Sequence, residues 1–209
     1  AIDNDDLRRG LPTNHKVYGE DVAILAGDGL LSAAFETMTK DMLLYLDDPA
    51  VLKRKVRAAF EIAKGTGCRG MVAGQIADVE SVNRQCSKEM LDYIHLNKTA
   101  AFIRSSALAG CYLAGADKER CNDMRVYGES VGLAFQIVND LQDITGDALV
   151  LGKNTGQDQK VKKCTYPLLF GVDDTKAKAK ELLARAREAM AKYYDEAEVF
   201  NAVIDFLEK

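Results

Sequence analysis

Apolar residues recur at intervals of three and four residues through most of this 209-residue chain, which is the spacing of one helical face. No run alternates apolar and polar residues as a half-buried strand does, and no Asn-Gly hairpin signal occurs. Only three prolines interrupt the pattern. Since no repeat or low-complexity linker divides the chain, the sequence predicts a single all-α domain over residues 1–209.

The breaks in the periodicity define seven predicted helices. Pro49 suits a first helical turn, and the glycines at residues 65–67 end the helix that it begins. The predicted helices cover, approximately, residues 19–46, 49–64, 68–82, 88–114, 118–145, 176–194 and 198–208. Two segments, 105–116 and 130–138, are apolar on nearly all sides, so we expect both of them at the centre of a helical bundle.

Charge and cysteine content argue against several classes of protein. Acidic residues outnumber basic ones by 32 to 28 and no Lys/Arg-rich block occurs, so we expect no nucleic-acid partner. No apolar run looks long enough to span a bilayer, the nearest being residues 107–116. The five cysteines include no CxxC pair. We therefore expect reduced thiols in a cytoplasmic protein, and neither a disulfide framework nor a zinc site.

A line of acidic and amide side chains follows one face of the predicted helix 118–145. At 3.6 residues per turn, Gln136, Asp140, Asp143 and Asp147 share this face, and Asn139 borders it. Carboxylates this close together repel one another, so burying them requires a neutralising partner. Lysine or arginine from a neighbouring helix could be that partner. So could a hard divalent cation such as Mg²⁺, which prefers oxygen ligands.

A second acidic cluster, at residues 3–6, leads directly into Arg8 and Arg9. Paired arginines suit bidentate phosphate binding, so this segment combines ligands for a cation and for a phosphate. Lys98 precedes the most apolar predicted helix and needs an anion there. That anion could be a phosphate or the acidic face around Asp140.

Three further features accompany these charges. Gln75 and Asp78 share a helical face because they are three residues apart. His95 is best interpreted as a core histidine with satisfied hydrogen bonds. The Gly/Lys-rich segment 151–167 follows the acidic helix and could close over phosphates as a lid. Together, the acidic and basic features predict a site for divalent cations and a diphosphate.

Several segments resemble, in the same order, the landmarks of the trans-prenyl diphosphate synthases of the farnesyl and geranylgeranyl type. They are DNDDLRRGLPTNH at 3–15, GMVAGQIAD at 70–78, HLNKT at 95–99, FQIVNDLQD at 135–143, LGK at 151–153 and KCTYP at 163–167. The resemblance covers roughly residues 1–171. It implies an isoprenoid-synthase helical bundle, usually a homodimer.

The resemblance also implies an activity and roles for individual residues. Mg²⁺ between two aspartate-rich segments would bind an allylic diphosphate and promote its ionisation, and the double bond of isopentenyl diphosphate would attack the allylic cation. The implied metal ligands are Asp3, Asn139, Asp140 and Asp143. The implied substrate contacts are Arg8, Lys98, Thr99, Gln136, Lys153 and Lys163 for the allylic diphosphate, and Arg9 for isopentenyl diphosphate. Lys98, Asp140 and Asp143 are expected to act in catalysis.

Two departures from the family pattern leave alternatives open. The chain begins inside the first aspartate-rich motif, so we expect it to be the C-terminal portion of the family domain and inactive by itself. Asn139 stands where the family usually has Asp, which keeps an oxygen ligand but loses a charge. One alternative is a class I terpene cyclase, whose ligand spacing Asn139, Asp143 and Asp147 would fit. The other is a non-catalytic subunit that binds prenyl diphosphates or regulates a synthase.

Overall fold

The computed structural model describes residues 1–145 and 163–208, and this part of the chain is almost entirely helical, which confirms the predicted fold class. The helices are α1 (Asn14–Tyr18), α2 (Glu20–Leu43), α3 (Pro49–Thr66), α4 (Met71–Ser81), α5 (Lys88–Ile94), α6 (Ala101–Ala114), α7 (Lys118–Thr145), α8 (Tyr166–Met190) and α9 (Glu198–Leu207). A π-helix, His95–Ala100, joins α5 to α6, and a 3-10 helix, Ala191–Ala197, joins α8 to α9. The extent of the domain, residues 1–209, stays a prediction.

The bundle is built around α7, which packs between α6 and α8, while α6 packs in turn against α3. The main core lies between α7, α8 and α9. Its buried residues are Tyr127, Val131, Ala134, Ile137, Ala179, Leu182, Leu183, Ala186, Met190, Ala197, Ile204 and Leu207. Burying one large aliphatic side chain of this kind contributes about 1.5–3 kcal/mol, so this seam is the principal source of stability in the described chain.

Glycines allow two helix crossings to approach at backbone distance. In α7, a Cβ on Gly132 would lie 2.5 Å from the Ala100 Cα, and one on Gly128 would lie 2.8 Å from the Arg104 Cα. In α4, a Cβ on Gly74 would collide with the backbone of Lys98. The π-helix is therefore clamped between α4 and α7. This fixes the position of the polar side chains that it carries.

Two helix boundaries differ from the sequence predictions. The predicted helix 88–114 contains the π-helix, in which the chain winds more widely than in an α-helix. The helix predicted to start at residue 176 starts at Tyr166, with Pro167 in its first turn. Gly171 has φ of 80° and kinks α8. Because Gly171 interrupts the helix, the helical periodicity of the sequence is recognisable only after this residue.

A short hairpin near the start of the chain was not predicted. Strand β1 (Leu7–Arg8) pairs antiparallel with β2 (Leu11–Pro12). The two turn residues, Arg9 and Gly10, have φ of 54° and 77°, the left-handed values that a type I′ hairpin turn requires. Arg9 is not a typical residue for such a turn, so the hairpin could not be recognised from the sequence.

Helix α2 is largely exposed in the described chain and has no buried residue. By length and composition it could cross a membrane, so the expectation that no segment is long enough is wrong on that point. A single helix of this kind is weak evidence for a membrane span. Asp28 lies near its middle, where a charge would be costly in hydrocarbon.

The cysteines do not all match the sequence expectation either. Cys86 and Cys164 form a disulfide across 78 residues of sequence, with their Cα atoms 5.1 Å apart. Cys68, Cys111 and Cys121 are free. The expectation of five reduced thiols is therefore wrong for this pair. It failed because only the fold brings the loop after α4 next to the start of α8.

Candidate functional site

A cavity of about 540 Å³ lies between the N-terminal segment, α4, the π-helix, α7 and the start of α8. Its lining is divided between charged groups and a smaller apolar wall. The charged and polar lining residues are Asp3, Asp5, Arg8, Asp78, His95, Lys98, Thr99, Gln136, Asn139, Asp140, Asp143, Lys163 and Thr165. The remaining lining residues are Ile2, Val79, Val82, Ile94, Phe135 and Cys164.

Most of the residues predicted from the sequence line this one cavity. They are Asp3, Arg8, Lys98, Thr99, Gln136, Asn139, Asp140, Asp143 and Lys163. Arg9 instead occupies the exposed hairpin turn and is not part of the lining. Lys153 and Asp147 lie outside the described residues. The roles assigned to all of these residues stay predictions.

Asp140 is a buried carboxylate of the α7 face, and its side chain is only 3% exposed. Gln136 Nε2 donates to its Oδ1 at 3.0 Å, and the Tyr166 backbone N–H donates to its Oδ2 at 3.0 Å. His95 Nε2 lies 3.2 Å from the same Oδ2. Asp140 therefore connects the π-helix, α7 and the first turn of α8. These donors offset the desolvation cost of a buried carboxylate.

Lys98 pairs with a carboxylate that the sequence left outside the site. Its Nζ lies 2.5 Å from Asp78 Oδ2, so the carboxylate that it contacts lies on α4 and not on the Asp140 face. Its expected role as a phosphate contact stays a prediction. Lys163 Nζ lies 3.4 Å from the same Asp78 oxygen and 3.5 Å from Asp3 Oδ1. Two ammonium groups thus converge on one carboxylate at the cavity wall.

The geometry of this triad follows from local packing. Asp78 is 4% exposed and is held on α4, where Gly74 allows the backbone of Lys98 to approach closely. A buried carboxylate with a single partner is costly, and removing that partner destabilises strongly. The two lysines satisfy Asp78 while each still reaches the cavity.

A second hydrogen-bonded chain runs from the π-helix to α7. Thr99 Oγ1 donates to Gln136 Oε1 at 2.8 Å, and Gln136 Nε2 donates onward to Asp140. The side-chain amide of Gln136 is therefore oriented by both neighbours. This chain fixes the polar edge of α7 relative to the helix that carries Lys98.

The cavity is lined by oxygen ligands that suit a hard cation, but the described residues that line it do not form a complete coordination shell. Among the described residues, no three His, Cys, Asp or Glu side chains are grouped closely enough to hold a metal ion. Mg²⁺ commonly uses one or two carboxylates together with substrate phosphates and water. The lining carboxylates of Asp3 and Asp143 and the Asn139 amide are compatible with that mode of binding.

Sequence reasoning missed several residues of this site. Asp78 was noted only for its spacing from Gln75, and Gln75 does not line the cavity. His95 is indeed buried, but it faces the Asp140 carboxylate. The contact made by the Tyr166 backbone N–H could not be predicted, because it does not depend on the side chain. For Asp78 and His95 a usable signal existed, since each is a polar residue flanked by apolar ones in a predicted helix.

Comparison with known proteins identifies relatives of this chain. The sequence matches the family model described as polyprenyl synthetase over residues 1–203. A chloroplastic geranylgeranyl pyrophosphate synthase from Capsicum annuum is 44% identical over 191 residues, covering 91% of this chain and 50% of the relative. A geranylgeranyl diphosphate synthase from Cyanophora paradoxa is 41% identical over 211 residues, covering 99% and 68%.

The fold has equally clear counterparts among solved structures. The geranyltransferase from Helicobacter pylori, crystallised with magnesium and isoprenyl diphosphate, superposes with a TM-score of 0.82 at 28% identity. The match covers 98% of this chain and 65% of that one. This chain spans about half the length of the chloroplastic relatives that it matches. The family match over nearly the whole chain confirms the resemblance found in the sequence, and the chain belongs to the polyprenyl synthetase family.

Proposed function

We propose that the protein containing this chain is a prenyl diphosphate synthase. It would condense isopentenyl diphosphate with an allylic diphosphate, head to tail, to give a short-chain farnesyl or geranylgeranyl diphosphate. The observation that carries this proposal is the convergence of Lys98 and Lys163 on Asp78 at the wall of a carboxylate-lined cavity. Such a wall offers cations to a diphosphate and oxygen ligands to the metal that accompanies it.

Binding of the allylic diphosphate would begin by exchange of ion-pair partners. One of the two lysines, Lys98 or Lys163, would turn from Asp78 towards the phosphate oxygens, and Arg8 would approach from the hairpin. Charge-assisted hydrogen bonds of this kind are roughly twice as strong as neutral ones. Because Asp78 can keep one of its lysines, the exchange need not leave a buried carboxylate unpaired.

The reacting hydrocarbon would lie against the apolar wall of Val79, Val82, Ile94 and Phe135. Departure of the diphosphate leaves an allylic cation, which water would destroy, so the wall serves to exclude water. The double bond of isopentenyl diphosphate then forms the new carbon–carbon bond, and loss of a proton completes the product. Lys98 would stabilise the negative charge on the leaving diphosphate.

We propose that Asp3, Asn139, Asp140 and Asp143 hold Mg²⁺ together with the diphosphate. When bound, the ion supplies Lewis-acid stabilisation of the leaving group. Both Asp140 oxygens accept hydrogen bonds from the protein, so this residue would also orient the acidic face of α7. Asn139 adds a neutral oxygen, which a hard cation binds less strongly than a carboxylate.

The test is a condensation assay on the whole protein, with labelled isopentenyl diphosphate, an allylic diphosphate and Mg²⁺. Label in a product longer by one isoprene unit supports the proposal, and mass spectrometry gives the chain length. Consumption of the allylic diphosphate without the label would indicate a cyclase. Tight binding of the allylic diphosphate without turnover would indicate a non-catalytic subunit.

We further propose that α2 is covered by a second copy of the protein. Seven large apolar residues of α2 are exposed, and they are Val22, Ile24, Leu25, Leu30, Leu31, Phe35 and Leu43. Apolar surface of this extent is typical of an interface. Light scattering should give a dimer for the whole protein and a smaller species for Leu31→Arg. A cytoplasmic location stays a prediction from the sequence.

A further inference from the structure

We propose that Cys86 and Cys164 form a thiol–disulfide exchange site, at which a dithiol reductant controls how firmly Lys163 is held in the cavity. The proposal rests on the diphosphate-binding role given to Lys163 above. It follows from where the two cysteines lie, since one of them lines the cavity and the other lies in a loop at the surface.

Cys164 is placed between two elements of the site. It is 5% exposed, lines the cavity, and is flanked by Lys163 and by Thr165, the residue that precedes α8. A change in the backbone at Cys164 therefore acts directly on the residue whose ammonium contacts Asp78. No other cysteine lies among the residues that line the cavity.

Cys86 provides the accessible half of the pair. It is only partly buried, and its neighbours Arg84, Gln85, Ser87 and Lys88 are exposed. It lies in the short connection between α4 and α5, next to Ser87, whose side chain caps α5. A reductant can therefore approach the Cys86 sulfur from solvent, whereas the Cys164 sulfur is shielded.

The dithiol reductant supplies the electrons and protons that the exchange reaction needs. One thiolate of the dithiol attacks the Cys86 sulfur, the S–S bond breaks, and Cys164 leaves as a thiolate that takes up a proton. The second thiol of the reductant then attacks the mixed disulfide and releases Cys86 as a thiol. The protein gains two electrons and two protons, and the dithiol is oxidised to its own disulfide.

Reduction should loosen Lys163 without unfolding the site. The cross-link ties residue 164 covalently to the connection after α4, so it limits the positions that Lys163 can take. The Tyr166 amide donates to Asp140 and this contact involves neither sulfur, so we expect it to persist after reduction and to keep the start of α8 in place. Only the short stretch before Tyr166 gains freedom. The expected outcome is weaker diphosphate binding and a retained fold.

The first experiment counts thiols in the whole protein by alkylation in denaturant and mass spectrometry. Denaturant is needed because burial raises the pKa of Cys111 to about 11, which makes its thiol slow to react when folded. We expect Cys86 and Cys164 to be protected in air-oxidised protein and alkylated after dithiothreitol treatment. If both are alkylated without reductant, the proposal is overturned, whatever the activity of the protein.

The second experiment compares the affinity for inorganic diphosphate by calorimetry, and the KM for the allylic diphosphate, before and after dithiothreitol. Reduction should weaken both by about threefold to tenfold, as expected for loss of part of one charge-assisted contact. Reoxidation should restore them. Cys86→Ser and Cys164→Ser should match the reduced protein and ignore the reductant.

Cys68→Ser is the matched control, since Cys68 is free, exposed and outside the cavity, and it should respond as the wild type does. Equal diphosphate affinity in the oxidised and reduced wild type overturns the proposal. So does a response to reductant that persists in Cys86→Ser. Because inorganic diphosphate binding is measured without turnover, failure of the proposed synthase activity would leave this comparison intact.

Discussion

Two long helices of this chain, α7 and α2, differ sharply in how much of their surface is buried. Helix α7 has 28 residues, of which eleven are buried, whereas α2 has 24 residues and none is buried. Yet α2 is on average the more hydrophobic of the two. Hydrophobicity therefore indicates which helix needs a partner, but not whether this part of the chain provides one.

The difference comes from what each helix can contact. Small residues let α7 approach α6 closely on one side, while Tyr127, Val131 and Ile137 pack into the core on another. Helix α2 packs mainly against α1 and α3 in the described chain. Its apolar side chains point to all sides, so no single neighbour could bury them. A second copy at α2 would supply part of what is missing.

The largest contrast should come from truncating one aliphatic side chain on each helix. Ile137→Ala in α7 should destabilise by about 2–5 kcal/mol, because it leaves a cavity in the core. Leu30→Ala in α2, where the side chain is 74% exposed, should change stability by less than about 0.5 kcal/mol at low protein concentration. Urea unfolding followed by circular dichroism measures both. A larger cost for Leu30→Ala that grows with concentration would show that α2 is covered in solution.

Replacing glycine by alanine should have opposite effects on stability in α7 and in α2. Gly132→Ala in α7 forces a Cβ against the backbone of Ala100 and should cost about 1–3 kcal/mol. Gly29→Ala in α2 meets nothing within 4 Å and should stabilise by about 1 kcal/mol through helix propensity. Melting temperatures of the two variants should shift in opposite directions. Equal shifts would mean that the α6–α7 crossing is looser than described.

A lysine pair extends the comparison to function. Lys98→Met should lower kcat/KM for the allylic diphosphate about tenfold, equivalent to about 1.4 kcal/mol, because one phosphate contact is lost. Lys40→Met, on the exposed end of α2, should leave the kinetics unchanged. Steady-state kinetics and thermal melts of the whole protein distinguish the possibilities. Normal kinetics with a large loss of stability would assign Lys98 to a structural ion pair with Asp78.

The smallest expected effect is a dependence of stability on pH that arises from Tyr127 in α7. Burial raises the pKa of Tyr127 to about 12, and its hydroxyl donates to the Phe200 carbonyl at 3.0 Å. A pKa raised above the unfolded value of about 10 gives stability that is complete below pH 10 and is lost as pH rises towards 12. The stability difference between wild type and Tyr127→Phe should therefore shrink between pH 10 and 12. A difference independent of pH in that range would contradict this assignment.

Much of the site could be predicted because its chemistry is local in sequence. The face that carries Gln136, Asp140 and Asp143 follows from helical spacing alone, and the structure places all three on one cavity. The basic residues were recognisable because a charge beside an apolar helix needs a counterion. What spacing could not supply was the identity of the counterion. In the structure, the counterion of Lys98 is Asp78, which is twenty residues away.

Local backbone geometry was the other feature that could not be predicted from the sequence. The wide turn that carries Lys98 and Thr99, and the left-handed residue Gly171 within α8, leave no clear mark in the periodicity. Both depend on packing, since the π-helix is clamped by Gly74 and Gly132 from two other helices. The disulfide between Cys86 and Cys164 is of the same kind, because it depends on a contact between distant segments.

By itself, the sequence determined the helical class, most helix positions and the acidic and basic faces, because helical periodicity and charge are properties of neighbouring residues. Only the tertiary structure decided which charges pair, which cysteines meet and which apolar helix is buried. Those outcomes depend on distances between segments far apart in the chain. Burial removes water and makes each unpaired charge costly, and in this protein Asp78 pairs with Lys98 and Asp140 with His95, which are partners that no local pattern specifies.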